Sequence, residues 1–214
     1  PEMTVDNKYV KLNVERYGGM ICAPWFDRPL SVAGRVIVKE DGKLVTKLVD
    51  VDRDLLMIPN LAIHMNREVN DGYKYNAQKD LLPLFGDIAA KDTFMKTIAE
   101  AADVKEENIL GHDLFLYNRE KGSVWGANEE YVSIGRLDDL QCAFSSLKGF
   151  LAGEKKEYIA VHCVLDNEEV GSGTKQGAAS TFLYDVLVRA NQALGQDYED
   201  YLRYLANSFM VSAD

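Results

Sequence analysis

Three apolar runs of this 214-residue chain each end in carboxylates. The runs cover residues 131–134, 158–165 and 209–213. The carboxylates that follow them are Asp138, Asp139, Asp166, Glu168, Glu169 and Asp214. Like charges brought together repel one another unless a cation holds them, so such a cluster would suit a metal ion. A divalent metal also acidifies bound water, and a free carboxylate beside it could accept the water proton. The sequence therefore predicts a metal site with a general base beside it.

The elements that must position these carboxylates are strands and helices in alternation. The three apolar runs predict strands, and residues 139–151 and 176–194 place apolar side chains at helical spacing. A further short helix is expected at about residues 198–206. Alternating strands and helices are typical of a parallel sheet, whose strands end at one shared edge. Because ligands bind at that edge, the carboxylates are expected to converge there.

Glu168 and Glu169 form an adjacent pair, and adjacent side chains of an extended segment point to opposite sides. One carboxylate can therefore bind a metal while the other faces bound water. Gly171 and Gly173 follow the pair and permit a sharp turn into the next helix. The alternative interpretation is that residues 166–169 form a solvated acidic turn without a ligand.

The first half of the chain has a different pattern. Residues 35–39 and 44–49 alternate like strands on either side of an Asp-Gly turn, which is a strong hairpin signal. The second half combines strands with helices. We therefore predict a β-rich domain at residues 1–124 and an α/β domain at residues 125–214.

Composition excludes several classes of function. The chain has 34 acidic and 24 basic residues, for a net charge of −10, so we expect no binding to nucleic acid or to an anionic membrane. No run approaches the roughly 20 apolar residues that a membrane span needs. Three cysteines without CxxC spacing indicate thiols in a reducing compartment, and we expect a cytoplasmic protein.

Several motifs resemble the M18 metallopeptidases, the aspartyl aminopeptidase family, and look closest to its bacterial branch. They occur in matching order along the whole chain, at residues 17–19, 25–30, 58–67, 76–78, 135–140, 165–172 and 212–214. The resemblance implies a binuclear-zinc aminopeptidase that removes N-terminal residues from peptides. It implies a partial α/β catalytic domain with a parallel-rich sheet and flanking helices, plus an inserted β-rich domain that serves dimerisation and lines the active site. It also implies a homo-oligomer built from dimers, as in the dodecamers of the family.

The resemblance assigns roles to particular residues. Asp138 would bridge two zinc ions, while Glu169 would bind one of them and Asp214 the other. Glu168 would be the general base that takes a proton from metal-bound water. His64 would reach into the active site of a neighbouring subunit, where it and Glu168 would help to hold the substrate. Cobalt or manganese would also suit such a site.

The chain also departs from the family pattern. The family has a His-x-Asp motif before the inserted domain and a metal-binding histidine near its C-terminus, and neither matches His64, His112 or His162. Asp139 stands where relatives often have Asn, and it could orient the site or merely cap a helix. The sequence resembles a family member truncated at both ends. Because hydrolytic zinc sites usually include histidine, we expect this fragment to be inactive by itself. Two alternatives remain, a non-catalytic oligomerisation module and a carboxylate cation-binding protein without hydrolysis.

Overall fold

The computed structural model describes residues 2–154 and 157–214. Pro1, Lys155 and Lys156 fall within the predicted domain ranges and lie outside the described residues. In the part of the chain that is described, no helix combines the length and the apolar character needed to cross a membrane.

The described residues form two compact units. The first comprises the residues up to Arg16 together with Met20–Val124. The second comprises Tyr17–Gly19 and Trp125–Asp214. The dimerisation and catalytic roles that the sequence predicts for two domains stay predictions.

Two antiparallel sheets of three strands each form the framework of the first unit. One sheet has the order β1 (Glu2–Val5), β2 (Tyr9–Leu12) and β5 (Leu84–Asp87). The other has the order β4 (Lys43–Asp50), β3 (Leu30–Glu40) and β6 (Ile109–Asn118). β3 and β4 form the hairpin predicted around the Asp-Gly turn, where Gly42 adopts a left-handed φ of 77°. Glycine reaches that region without a steric penalty.

Alternate side chains of β3 form the centre of the core in the first unit. Val32, Val36 and Val38 are buried, as expected for one face of a pleated strand. The short helix α1 (Ala77–Asp80) and the helix α2 (Phe94–Ala101) belong to the same unit. Phe94 and Ile98 lie four residues apart on α2, so they share a face and join the same apolar cluster.

The second unit is mainly helical. Its helices are α3 (Leu137–Ala152), α4 (Phe182–Ala193) and α5 (Tyr198–Ala206). They agree with the three helices predicted from apolar spacing, except that α4 begins at Phe182 and not at residue 176. α4 and α5 contact each other through the rings of Tyr184 and Tyr201, whose centroids are 5.9 Å apart. A two-stranded ladder joins β7 (Ser123–Trp125) to β8 (Tyr131–Ser133).

The mixed α/β class is confirmed, but two segments of the second unit differ from the prediction. Neither residues 158–165 nor residues 209–213 form a strand. Their apolar side chains are largely exposed, with Ile159 at 79% and Phe209 at 91%. A strand requires a neighbour that supplies backbone hydrogen bonds, and no ladder among the described residues includes either segment. The described residues therefore do not form the parallel sheet that the sequence predicts.

Candidate metal centre

The carboxylates that follow the apolar runs all lie in the second unit. Asp138 and Asp139 occupy the first turn of α3. Glu168 and Glu169 begin a single 3-10 turn, Glu168–Val170, and Asp214 is the last residue of the chain.

Three of these carboxylates converge. Asp139, Glu168 and Asp214 each offer one oxygen, and the three oxygens all lie within 4.8 Å of one another. Asp139 is half-buried, while the other two are exposed. Asp138 and Glu169, which the resemblance assigns as ligands, are not members of this group. The ligand roles of Asp138, Glu169 and Asp214 and the base role of Glu168 stay predictions.

Asp139 is the member of the group that sequence reasoning assigned neither as a ligand nor as the base. Asp138 has a ψ of 115°, so the backbone leaves the helical path between the two aspartates. The sequence placed Asp139 among the carboxylates that follow the apolar runs and allowed it a role in orienting the site or in capping the helix.

Electrostatic repulsion within the cluster acts on Glu168. The charge of Asp214 is the largest cause of a raised pKa of Glu168. Burial and the charges of three further carboxylates also raise this pKa, namely Glu169, Asp138 and Asp139. A carboxylate with a raised pKa is suited to accept and return a proton. The same repulsion makes the cluster attractive to a cation, since a cation would neutralise it.

Side-chain hydrogen bonds hold the turn that carries Glu168 and Glu169. The Asn167 Oδ1 atom accepts a hydrogen bond of 3.0 Å from the Tyr17 hydroxyl. The Asn167 Nδ2 atom donates to Thr174 Oγ1 at 3.2 Å. The Tyr-Gly-Gly motif was noted in the sequence only as part of the family resemblance, and no spacing rule connects it to this turn.

None of the three histidines was expected to bind metal, and His64 was predicted to hold substrate. His162 Nε2 lies 3.0 Å from Ser146 Oγ, and its ring centroid is 5.7 Å from that of Phe150. His64 is exposed in a loop of the first unit, and its substrate role stays a prediction. Within the described residues, the converging group contains no imidazole.

The chemistry of this donor set fits the carboxylate part of a zinc site. Carboxylate oxygens bind divalent metals, and a metal would relieve the repulsion that raises the pKa of Glu168. Zinc sites in hydrolases usually combine such carboxylates with histidine. The group is therefore consistent with a zinc centre to which further ligands contribute.

Comparisons with known proteins identify the family. A family model described as "Aminopeptidase I zinc metalloprotease (M18)" matches residues 2–214. A "Probable M18 family aminopeptidase 2" from Clostridium acetobutylicum is 49% identical over 220 residues, which covers 100% of this chain and 51% of that protein. The chain thus spans about half the length of the curated relatives it matches.

Solved structures agree with this assignment. The structure of mApe1 from Chaetomium thermophilum has a TM-score of 0.78 at 27% identity and covers 92% of this chain and 49% of that chain. The S. cerevisiae mApe1 dodecamer has a TM-score of 0.66 at 26% identity and covers 86% of this chain and 43% of that chain. The resemblance noted in the sequence is confirmed, and the chain belongs to the M18 family of zinc metalloproteases.

Proposed function

We propose that this chain is part of a zinc-dependent aminopeptidase that removes N-terminal residues from peptides. The observation that carries the proposal is the meeting of Asp139, Glu168 and Asp214 within 4.8 Å, in a chain whose family model is a zinc metalloprotease. An isolated acidic turn would not bring together carboxylates from three separate parts of the sequence.

The proposed roles follow the family resemblance. Asp138, Glu169 and Asp214 would hold two zinc ions, with Asp138 shared between them. When bound, zinc supplies a Lewis acid that polarises the scissile carbonyl and lowers the pKa of water. Glu168 takes a proton on its carboxylate from the attacking water and returns it to the nitrogen of the leaving amine. A carboxylate placed beside the reacting water can serve first as a base and then as an acid in this exchange. The carboxylate oxygens of Asp139 and Glu168 lie within 4.8 Å of each other, so Asp139 adds to the negative charge of the site.

We further propose that ligands outside these 214 residues complete the site and that the chain alone is inactive. Two observations support this. The chain spans about half the length of its curated relatives, and the converging group described here contains carboxylates alone. Catalytic zinc sites usually include at least one histidine.

A second proposed function is homo-oligomerisation. A solved relative is a dodecamer, and the first unit has its own apolar core. We propose that residues 1–124 mediate dimerisation and that His64 helps to hold substrate in a partner's site. We also propose a cytoplasmic location, which the free thiols of Cys22, Cys142 and Cys163 support.

Metal content and peptide cleavage test the proposed function together. The full-length protein and this 214-residue chain would be purified, assayed for metal by mass spectrometry, and given leucyl and aspartyl chromogenic amides with added zinc or cobalt. We expect zinc-dependent cleavage by the full-length protein and none by the chain alone. Cleavage by the chain alone would overturn the proposed incompleteness. A full-length protein that binds zinc without cleaving either amide or unmodified peptides would favour the cation-binding alternative.

A further inference from the structure

We propose that Tyr17 and Gly18 are positioning residues that hold Glu168 and Glu169 in place for catalysis. This inference rests on the proposed function, since it names the part of the chain that fixes the proposed base and its neighbouring ligand. The two residues are here called the Tyr17-Gly18 strap.

Gly18 passes directly against the backbone of Glu169. A Cβ atom added at Gly18 would lie 2.2 Å from the carbonyl oxygen of Glu169 and 2.9 Å from its Cβ. Real Cβ atoms essentially never approach other atoms within 3.0 Å. Gly18 also adopts a φ of 63°, in the left-handed region. Glycine is required here for both reasons, because any side chain would displace the turn or the strap.

Tyr17 holds the residue that precedes Glu168. Its hydroxyl donates to the side-chain oxygen Oδ1 of Asn167, while the side-chain nitrogen Nδ2 of Asn167 donates to Thr174 Oγ1. Both ends of this amide are thus engaged, which fixes its orientation. Asn167 has a φ of 64°, and this backbone geometry sets the direction in which Glu168 leaves the turn.

The strap is distant in sequence from the turn that it holds. Tyr17 and Asn167 are 150 positions apart. Tyr17–Gly19 nevertheless groups with the second unit, although the residues on both sides of it belong to the first. The contacts of Gly18 with Glu169 and of Tyr17 with Asn167 account for that grouping.

Repulsion within the acidic cluster explains why such a restraint would matter. The charges of four carboxylates act on Glu168, and an unrestrained turn would relax by moving its carboxylates apart. A backbone fixed from outside the turn keeps them together, so that metal and substrate meet a preformed arrangement. Displacing such a group by about 1 Å can lower a rate by about 100-fold.

Substitutions at three adjacent positions test this inference in the zinc-loaded full-length protein. Gly18→Ala introduces the clash with Glu169, and Tyr17→Phe removes only the hydroxyl that Asn167 accepts from. Gly19→Ala is the matched control, because a Cβ at Gly19 would meet nothing within 4 Å.

We expect Gly18→Ala to weaken zinc binding and to lower kcat by about 10- to 100-fold each, with a much smaller change in KM. Tyr17→Phe should lower kcat by about 2- to 10-fold. Gly19→Ala should match the parent protein. Zinc affinity by competition with a chromogenic chelator, steady-state kinetics and melting temperature would be measured for each variant.

Two outcomes would overturn the inference. One is unchanged zinc affinity and kcat in Gly18→Ala. The other is a loss in Tyr17→Phe that scales with lowered melting temperature, since a purely structural role would produce that. If the parent protein itself cleaves no peptide, the proposed function fails. Zinc affinity and amide exchange of residues 163–172 would then still decide whether the strap orders the turn.

Discussion

Asp27→Ala is predicted to loosen the loop that carries His64. The loop leaves the first unit's core after Ile58, and the Asp27 carboxylate binds it at its start. One Asp27 oxygen accepts a hydrogen bond of 2.8 Å from the Asn60 backbone N–H, and the other accepts one of 2.9 Å from Asn60 Nδ2. The Asp27 N–H in turn donates to the Ile58 carbonyl at 2.9 Å.

The other end of the loop is held by the residue next to Asp27. The Tyr75 ring stacks on the Phe26 ring, with centroids 4.9 Å apart. Tyr73 packs edge-on against Tyr75, and its hydroxyl donates to both carboxylate oxygens of Asp80. Both ends of the loop thus meet at Phe26 and Asp27, whereas His64 between them is exposed.

The size of the effect follows from the lost contacts and from the backbone. Because Asp27 is exposed, we assign about 1 kcal/mol to each of its two hydrogen bonds, below the range for buried charged groups. Asp27 has a φ of 57°, which costs alanine a further ~1 to 2 kcal/mol. Asp27→Ala should therefore lower the free energy of unfolding by about 3 to 4 kcal/mol. Asp27→Asn, which keeps one acceptor, should lower it by about 1 kcal/mol.

The contribution of the Asp27 carboxylate to the free energy of unfolding should also depend on pH, and the direction of its pKa shift says how. The backbone and side-chain N–H groups of Asn60 lower the pKa of Asp27 below its ordinary value of 3.8. A lowered folded-state pKa stabilises the protein above the ordinary value, and this stability is lost as pH falls through the folded pKa. The difference between the parent protein and Asp27→Asn should therefore be full at pH 6 and vanish at strongly acidic pH.

Urea unfolding and amide exchange of residues 60–72 in the full-length protein would measure both effects. Asp41→Ala is the control for backbone cost alone, since Asp41 has a φ of 49° and its side chain forms no hydrogen bond in the described part of the chain. It should leave exchange at residues 60–72 unchanged. Equal destabilisation by the two alanine variants, with slow exchange retained in the loop, would refute the reasoning.

Two further predictions concern the site and the core. Glu168→Gln should lower kcat by about 100- to 10,000-fold. Because neighbouring charges raise the pKa of Glu168, the resulting loss of stability is small below its ordinary value of 4.5, grows as pH rises above that value, and is complete above the folded-state pKa. Without metal, the Glu168→Gln variant should therefore melt at a higher temperature than the parent protein at pH 7 but not at pH 4. Equal melting temperatures of the two proteins at pH 7 would contradict this. Ile98→Ala, at a fully buried position, should cost about 2 to 5 kcal/mol in urea unfolding. Leu48→Ala, at 83% exposure, should cost almost nothing, and a similar loss in both variants would argue against the described core.

Local chemistry explains which parts of the fold the sequence predicts. The hairpin of β3 and β4 depends on an Asp-Gly turn and on alternation within a few residues, and it forms where predicted. The helices α3, α4 and α5 follow from apolar spacing and also form. Residues 158–165 carry an equally strong strand pattern, but a strand depends on a neighbour that the segment itself does not specify.

The candidate site also combines features that the local sequence predicts with features that it does not. Glu168 and Asp214 meet, as the position of carboxylates after apolar runs suggested. Asp139 joins them and Asp138 does not, and no residue pattern distinguishes these two adjacent aspartates. The contact of Tyr17 with Asn167 spans 150 positions, so it can be seen only in the folded chain.

The exposed apolar face of α3 and the lack of strands at residues 158–165 and 209–213 have one physical cause. Apolar spacing predicts that α3 packs its stripe against a sheet, yet Phe144 at 64% and Leu151 remain exposed along that stripe. The segments predicted to supply that sheet, residues 158–165 and 209–213, form no strand in the described chain. A helix without its sheet keeps its amphipathic pattern and its backbone hydrogen bonds, because both are local. Burial of the apolar stripe, in contrast, requires a second element to pack against it. The exposed apolar side chains of α3 therefore show where, within the described residues, the second unit has no element packed on that helix. The turn that carries Glu168 needs no sheet, because Tyr17 and Thr174 hydrogen-bond to the Asn167 side chain and Gly18 lies directly against the Glu169 backbone.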